Sequence, residues 1–145
     1  MEGHNYLFAG AAIAARLRSE CKGLRRVLEV QDAADALGVA SPVALVNYAG
    51  ETLSQASGRQ MRNGADVVAT QRWIVQLVVD NKNKSLSTNQ AGVLMFDIIQ
   101  ALQGWRPENA VSSLYRVSPP SPVYGDGFAI YPLTFELAVL ANTAN

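Results

Sequence analysis

The residues able to do chemistry are few and scattered. The chain has one histidine, His4, and one cysteine, Cys21. A zinc site needs three or four Cys, His or carboxylate ligands, and an activated nucleophile needs a base beside it. His4 lies close to the start of the sequence and reads as a solvated side chain. Cys21 falls on an apolar helical stripe and reads as a small core residue, not a reactive thiol. Asp32 and Asp35 have the spacing of a cap and a first-turn acid on a short helix, which explains them without an acid–base dyad. Asp126 stands between two glycines as a turn residue, and Asp80 and Asp97 have no partner in the sequence. No phosphate-cradling GxxxxGK[ST] run occurs. Tyr115, Tyr124 and Tyr131 fall on adjacent strands, where they could stack bases, but packing accounts for them as well. The expectation is therefore no catalytic residue, no cofactor, no metal, and no enzyme.

Composition narrows the classes further. The length of 145 residues suits one domain able to bury its own core. Net charge is +0, which disfavours a generally basic nucleic-acid binder. Hydrophobic residues make up 49% and charged residues 17%, against a usual charged share of about 25%. Exposed, that apolar excess would limit solubility; burial at subunit interfaces removes it, so an oligomer is expected. The apolar stretch 7–15 lacks a basic leader and is followed by Arg16, Arg18 and Glu20, which argues against a signal peptide. No run reaches the roughly 18 apolar residues of a membrane span. A single cysteine permits no internal disulfide, and a cytosolic site of synthesis is expected.

The elements that must position these residues follow from periodicity. Tyr6, Ala9, Ile13, Leu17 and Cys21 form one stripe of a helix over 5–22, with Asn5 as cap and Gly23 as stop. Residues 27–30 read as a strand and 31–37 as a short helix. Residues 42–48 read as a strand whose run Val43-Ala44-Leu45-Val46 suits cover on both faces. Residues 51–69 are polar and weakly periodic, and read as a long protruding arm, which would be a β-hairpin if Val67-Val68 pair. In 70–80, Trp73, Val75, Leu77 and Val79 alternate on one face. Ser87 and Gln90 have capping-box spacing, after which Ala91, Leu94, Ile98, Leu102 and Trp105 mark a helix that Gly104 and Pro107 stop. Residues 114–117 form a strand, and Pro119, Pro120 and Pro122 impose an extended link through Gly125-Asp126-Gly127. The last strand is 128–140, with Tyr131, Leu133, Phe135, Leu137 and Val139 inward. Pro132 places it at an edge or on a bulge. Residues 141–145 fray. The fold class is α+β in a single domain, 1–145: a mostly antiparallel sheet of about four to five strands with two long helices on one face. Leu94, Ile98 and Leu102 should pack on Trp73, Val75 and Leu77.

Element order and several strings carry a resemblance over roughly 6–140. They are VLEVQDAADALGVASPVALVNYAG from Val27, TQRWIVQLVV from Thr70, and NQAGVLMFDIIQALQGWRP from Asn89, with GWRP the sharpest. The chain resembles the tail terminator proteins of long-tailed bacteriophages and related small minor tail proteins. The resemblance implies a structural virion protein, assembled in the host cytoplasm. It would form a sixfold homo-oligomeric ring at the head-proximal end of the tail, with the tail tube protein on one side and the head–tail connector or neck protein on the other. No cofactor is implied, and DNA would pass through the lumen without specific binding. A low charge with no basic patch evident in the sequence agrees with such a conduit. The expected interface residues are Arg59, Gln60, Arg62 and Asp66 in the arm, and Pro132. The arm is expected to be mobile in the free subunit and ordered by a neighbour. The alternatives are a neck or tail-completion protein and, more remotely, a small-ligand-binding α+β domain.

Overall fold

Two long strands with strict alternation decide the centre of the molecule. The computed structural model describes residues 5–29, 41–53, 67–80 and 88–141. Within them lie helix α1 (Phe8–Glu20), strands β1 (Arg26–Leu28), β2 (Val43–Leu53) and β3 (Val68–Asp80), helix α2 (Thr88–Leu102), and strands β4 (Tyr115–Val117), β5 (Val123–Gly125) and β6 (Phe128–Leu140). β3 and β6 are 13 residues each and pair antiparallel from Val68↔Leu140 to Asp80↔Phe128 without a bulge. β2 lies antiparallel on the other side of β3, and β1 adds parallel to β2. The order is β1-β2-β3-β6-β4, with β5 also on β6. The sheet is therefore mostly antiparallel and the class α+β, with six strands among the described residues instead of the four to five expected.

Because side chains alternate, one face of β3 presents Ala69, Gln71, Trp73, Val75, Leu77 and Val79, all buried. Leu133, Phe135, Leu137 and Val139 of β6 continue it. Both helices join these strands in one core cluster: Ala9, Ile13, Ala14 and Leu17 from α1, and Ala91, Leu94, Ile98, Ala101 and Leu102 from α2. The expected trio Leu94, Ile98 and Leu102 is in that cluster with Trp73, Val75 and Leu77. Gly10 lets α1 approach the sheet closely: a Cβ there would stand 3.0 Å from the Trp73 ring. Arg16 joins the helices, donating from Nε to the Ala101 carbonyl at 2.9 Å with its guanidinium 5.2 Å from the centre of the Trp105 ring. Gly104 ends α2 at φ +81°, a backbone region that glycine enters without strain, and its N–H reaches the Leu114 carbonyl. The opposite face holds a smaller cluster of Val43, Leu45, Val78 and Ile130. Val43 to Val46 are buried on both faces, as their apolar run predicts.

Three expectations change. β2 runs to Leu53 and β3 begins at Val68, so both ends of the 51–69 segment are paired strand, Leu53 opposite Ala69. The Pro-rich link contains β5, which turns through Asp126-Gly127 into β6. β6 is not an edge strand, since β3 lies on one side and β5 and β4 on the other. Pro132 fits there for a backbone reason. The N–H and carbonyl of Ala138 point away from β3, to the Ser112 hydroxyl and the Val111 N–H. Period two sends the Pro132 nitrogen to the same side. There it falls between Ile130, paired with β5, and Thr134, paired with β4, so no ladder bond is lost. The short helix over 31–37, the cap at Ser87 and the tail 142–145 lie outside the described residues.

Candidate functional site

Of the expected interface residues, Arg59, Gln60, Arg62 and Asp66 lie outside the described residues. Pro132 is buried, so any part it has in a subunit contact runs through the open stretch of β6 backbone beside it. What can be built from side chains is the base of the β2–β3 hairpin. β2 bulges between Tyr48 and Glu51, with Gly50 at φ +104°. The bulge aims Glu51 at the start of α1, where it accepts a hydrogen bond from the Tyr6 hydroxyl. Burial, then that bond, pushes the Tyr6 phenol up to about 12. Beneath it, buried Gln71 donates from Nε2 to the Tyr6 carbonyl at 2.9 Å and accepts from Trp73 Nε1 at 3.0 Å. Tyr48 packs on Trp73 with ring centroids 5.3 Å apart. On the other face, Arg72 pairs with Glu136 at 2.9 Å, and the Tyr115 hydroxyl donates to the same carboxylate at 3.2 Å. The hairpin base is thus pinned to α1, β4 and β6 by polar contacts on both faces of the sheet.

Nothing in this constellation resembles a reaction centre. Glu51 and Glu136 are engaged by phenols and a guanidinium, with no nucleophile beside them. Among the described residues no three His, Cys, Asp or Glu side chains converge as metal ligands. Cys21 is buried, and burial pushes its thiol up to about 11, away from the reactive thiolate. No helix of the described residues is long and apolar enough to cross a membrane.

Two surfaces stand out instead. α2 exposes Val93 and Phe96, 61% and 58% accessible, on a helix whose single charged residue is Asp97. The far margin exposes Val123 and Tyr124, with Tyr124 edge-on to Tyr131 at 5.9 Å; Tyr115 bonds Glu136, so the three tyrosines make packing and polar contacts, the favoured of their two readings. At the opposite margin, Arg18, Lys22, Arg25 and Arg26 line one groove with Cys21, Leu24, Val27 and Leu28. This corrects the expectation of no basic patch. The cations come from the end of α1 and the start of β1, and the turn at Lys22-Gly23 folds them together. Crowding of Arg and Lys after residue 15 was the visible signal in the sequence.

No curated protein sequence matches this chain. A family model does match, that of the phage tail terminator protein, over residues 3–144. With nearly the whole chain covered, and with the resemblance of the 27–50, 70–79 and 89–107 strings pointing the same way, the chain belongs to the phage tail terminator family, a family of structural virion proteins of the phage tail.

Proposed function

We propose that copies of this chain close into a ring on the head-proximal end of the tail tube, stop its polymerisation, and present the surface to which the neck or head attaches. The observation that carries this reading is the family match over residues 3–144. The physics of capping supports it. A tube grows because each added ring re-creates the acceptor surface for the next. A cap must match that surface on one side and withhold it on the other. Such a device makes and breaks no covalent bond, which accords with a chain whose polar clusters hold strands together. A closed ring uses two different patches per subunit, in head-to-tail contacts.

The tube contact is assigned to the segment between Leu53 and Val68, through Arg59, Gln60, Arg62 and Asp66. Arginine offers the paired, planar hydrogen bonds that acidic groups of a tube subunit accept. The hairpin base fixed by Glu51, Gln71 and Arg72 gives that segment a rigid origin. The lumen conducts DNA without binding sequence.

Electron micrographs of tails from a strain lacking this protein test the reading. Over-long or unstable tails that fail to join heads are the expected result. Normal tails on filled heads would overturn it. Tails of normal length that do not join heads would favour a neck or tail-completion role instead.

A further inference from the structure

A cationic groove lies at the β1 margin of the sheet. Its volume is about 360 Å³, and Arg18, Lys22, Arg25 and Arg26 line it. Arg18 spends one N–H on the Val27 carbonyl at 2.8 Å, which holds its guanidinium against the wall. Lys22, Arg25 and Arg26 are exposed. Among the described residues no acid forms an ion pair with Lys22, Arg25 or Arg26. Glu20 faces Arg16 at 4.0 Å. The stretch 16–26 holds five cations and one acid in a chain of net charge +0, so the rest of the chain is net negative by four.

Like charges held this close repel one another in the free subunit, and a surface ion pair would relieve them at little cost. We infer that this groove docks a carboxylate-rich segment of a neighbouring protein in the tail assembly. Carboxylates fit better than a nucleic-acid backbone on three counts. The groove is a short concavity and not a stripe that tracks successive phosphates. No aromatic side chain lines it to stack a base. The chain as a whole is neutral, so it lacks the broad positive field of phosphate binders. Three of its four cations are arginines, whose planar forks accept carboxylates bidentately. The inference rests on the tail-assembly reading for the identity of the neighbour, but not for the chemistry of the groove.

The test is calorimetric titration of the full chain with a poly-glutamate peptide and, separately, with a DNA duplex of matched charge, at low and moderate salt. The variant is Arg25→Glu with Arg26→Glu; Lys22→Glu, at a fully solvated turn, is the second variant if the first misfolds by circular dichroism. The peptide should bind the natural chain, weaken with salt, and lose on the order of tenfold or more in affinity on charge reversal. In complementation of the deletion strain, the same variant should be absent from purified tails. Peptide binding that is nil or indifferent to the reversal would overturn the inference. Duplex binding that is tighter than peptide binding and depends on Arg25 and Arg26 would overturn it in favour of DNA. The peptide arm needs no ring, so its failure is distinct from normal tails in the deletion strain, which would overturn the capping reading alone.

Discussion

Gln71→Leu isolates the polar element of an otherwise apolar core. Gln71 has 0% of its surface exposed and faces the helices. Its amide satisfies two groups, the Tyr6 carbonyl and the Trp73 indole N–H. Leucine is of similar size, so no large cavity opens, and it gains apolar burial. Against that, the Trp73 N–H loses its acceptor inside the core, which costs about 1–3 kcal/mol for an orphaned buried donor. The Tyr6 carbonyl is less deeply placed and can turn to water, so it adds about 0.5–1 kcal/mol. The gain from leucine offsets on the order of 1 kcal/mol. The net expectation is a loss of about 0.5–3 kcal/mol, read as a lower urea midpoint at unchanged slope. Trp73→Phe removes the donor that would be orphaned. In that background Gln71→Leu should therefore cost at least about 1 kcal/mol less, a coupling of the size that contacting residues show. A loss below about 0.5 kcal/mol in the natural chain, or an equal loss in both backgrounds, would refute the network as a source of stability.

Ile98→Ala removes a fully buried side chain shared by α2, α1 and the sheet, and should cost about 2–5 kcal/mol in the same assay. Gly92→Ala should stabilise by about 0.5–1 kcal/mol, since the site is helical with open space for a Cβ; Gly104→Ala should destabilise at φ +81°. Tyr6 has its proton held by burial and by Glu51, its pKa raised from 10.0 to about 12. A raised acid stabilises fully below its unfolded pKa and loses that contribution as pH rises through its folded one, so stability should fall between about pH 10 and 12 more steeply in the natural chain than in Tyr6→Phe. Protease should cut between Leu53 and Val68 in the free subunit and spare that segment in assembled tails; equal cleavage in both would remove it as the tube contact.

The central strands were legible because a two-residue period is hard to mistake over 13 residues. Trp73, Val75, Leu77 and Val79 named the inner face of β3, and 128–140 named β6 to the residue. The α2 stripe was legible for the same reason at a longer period. β5 was missed although Asp126-Gly127 is a strong hairpin signal, because three prolines upstream argued for an extended link. Pro132 misled differently. A missing N–H forbids a partner at one position on one side, and the inference to a whole edge strand was too strong. β2 outran its expected end because Asn47 to Leu53 mixes polar and apolar residues across a bulge, which breaks the period that would have announced it. The cationic groove showed in the sequence only as a crowding of Arg and Lys after residue 15, since its members lie on two elements whose turn decides whether they converge.

A structural protein of the phage tail works through its surfaces, not through reactive side chains. The chemistry that matters is which backbone and which apolar area stay available. α2 keeps Val93 and Phe96 in water with no charge beside them but Asp97, an arrangement that a stable neighbour would relieve. β6 does the opposite along its outer margin. β4 and β5 cover its two ends, and the one outward-facing position left between them is Pro132, which has no donor to offer. A strand that tried to add there would meet a ladder with its middle rung missing. The same subunit thus leaves apolar helix surface exposed on α2 and interrupts the backbone ladder on the outer side of β6. Such an asymmetry would serve the proposed cap, which must join the structure below without templating another copy of itself above.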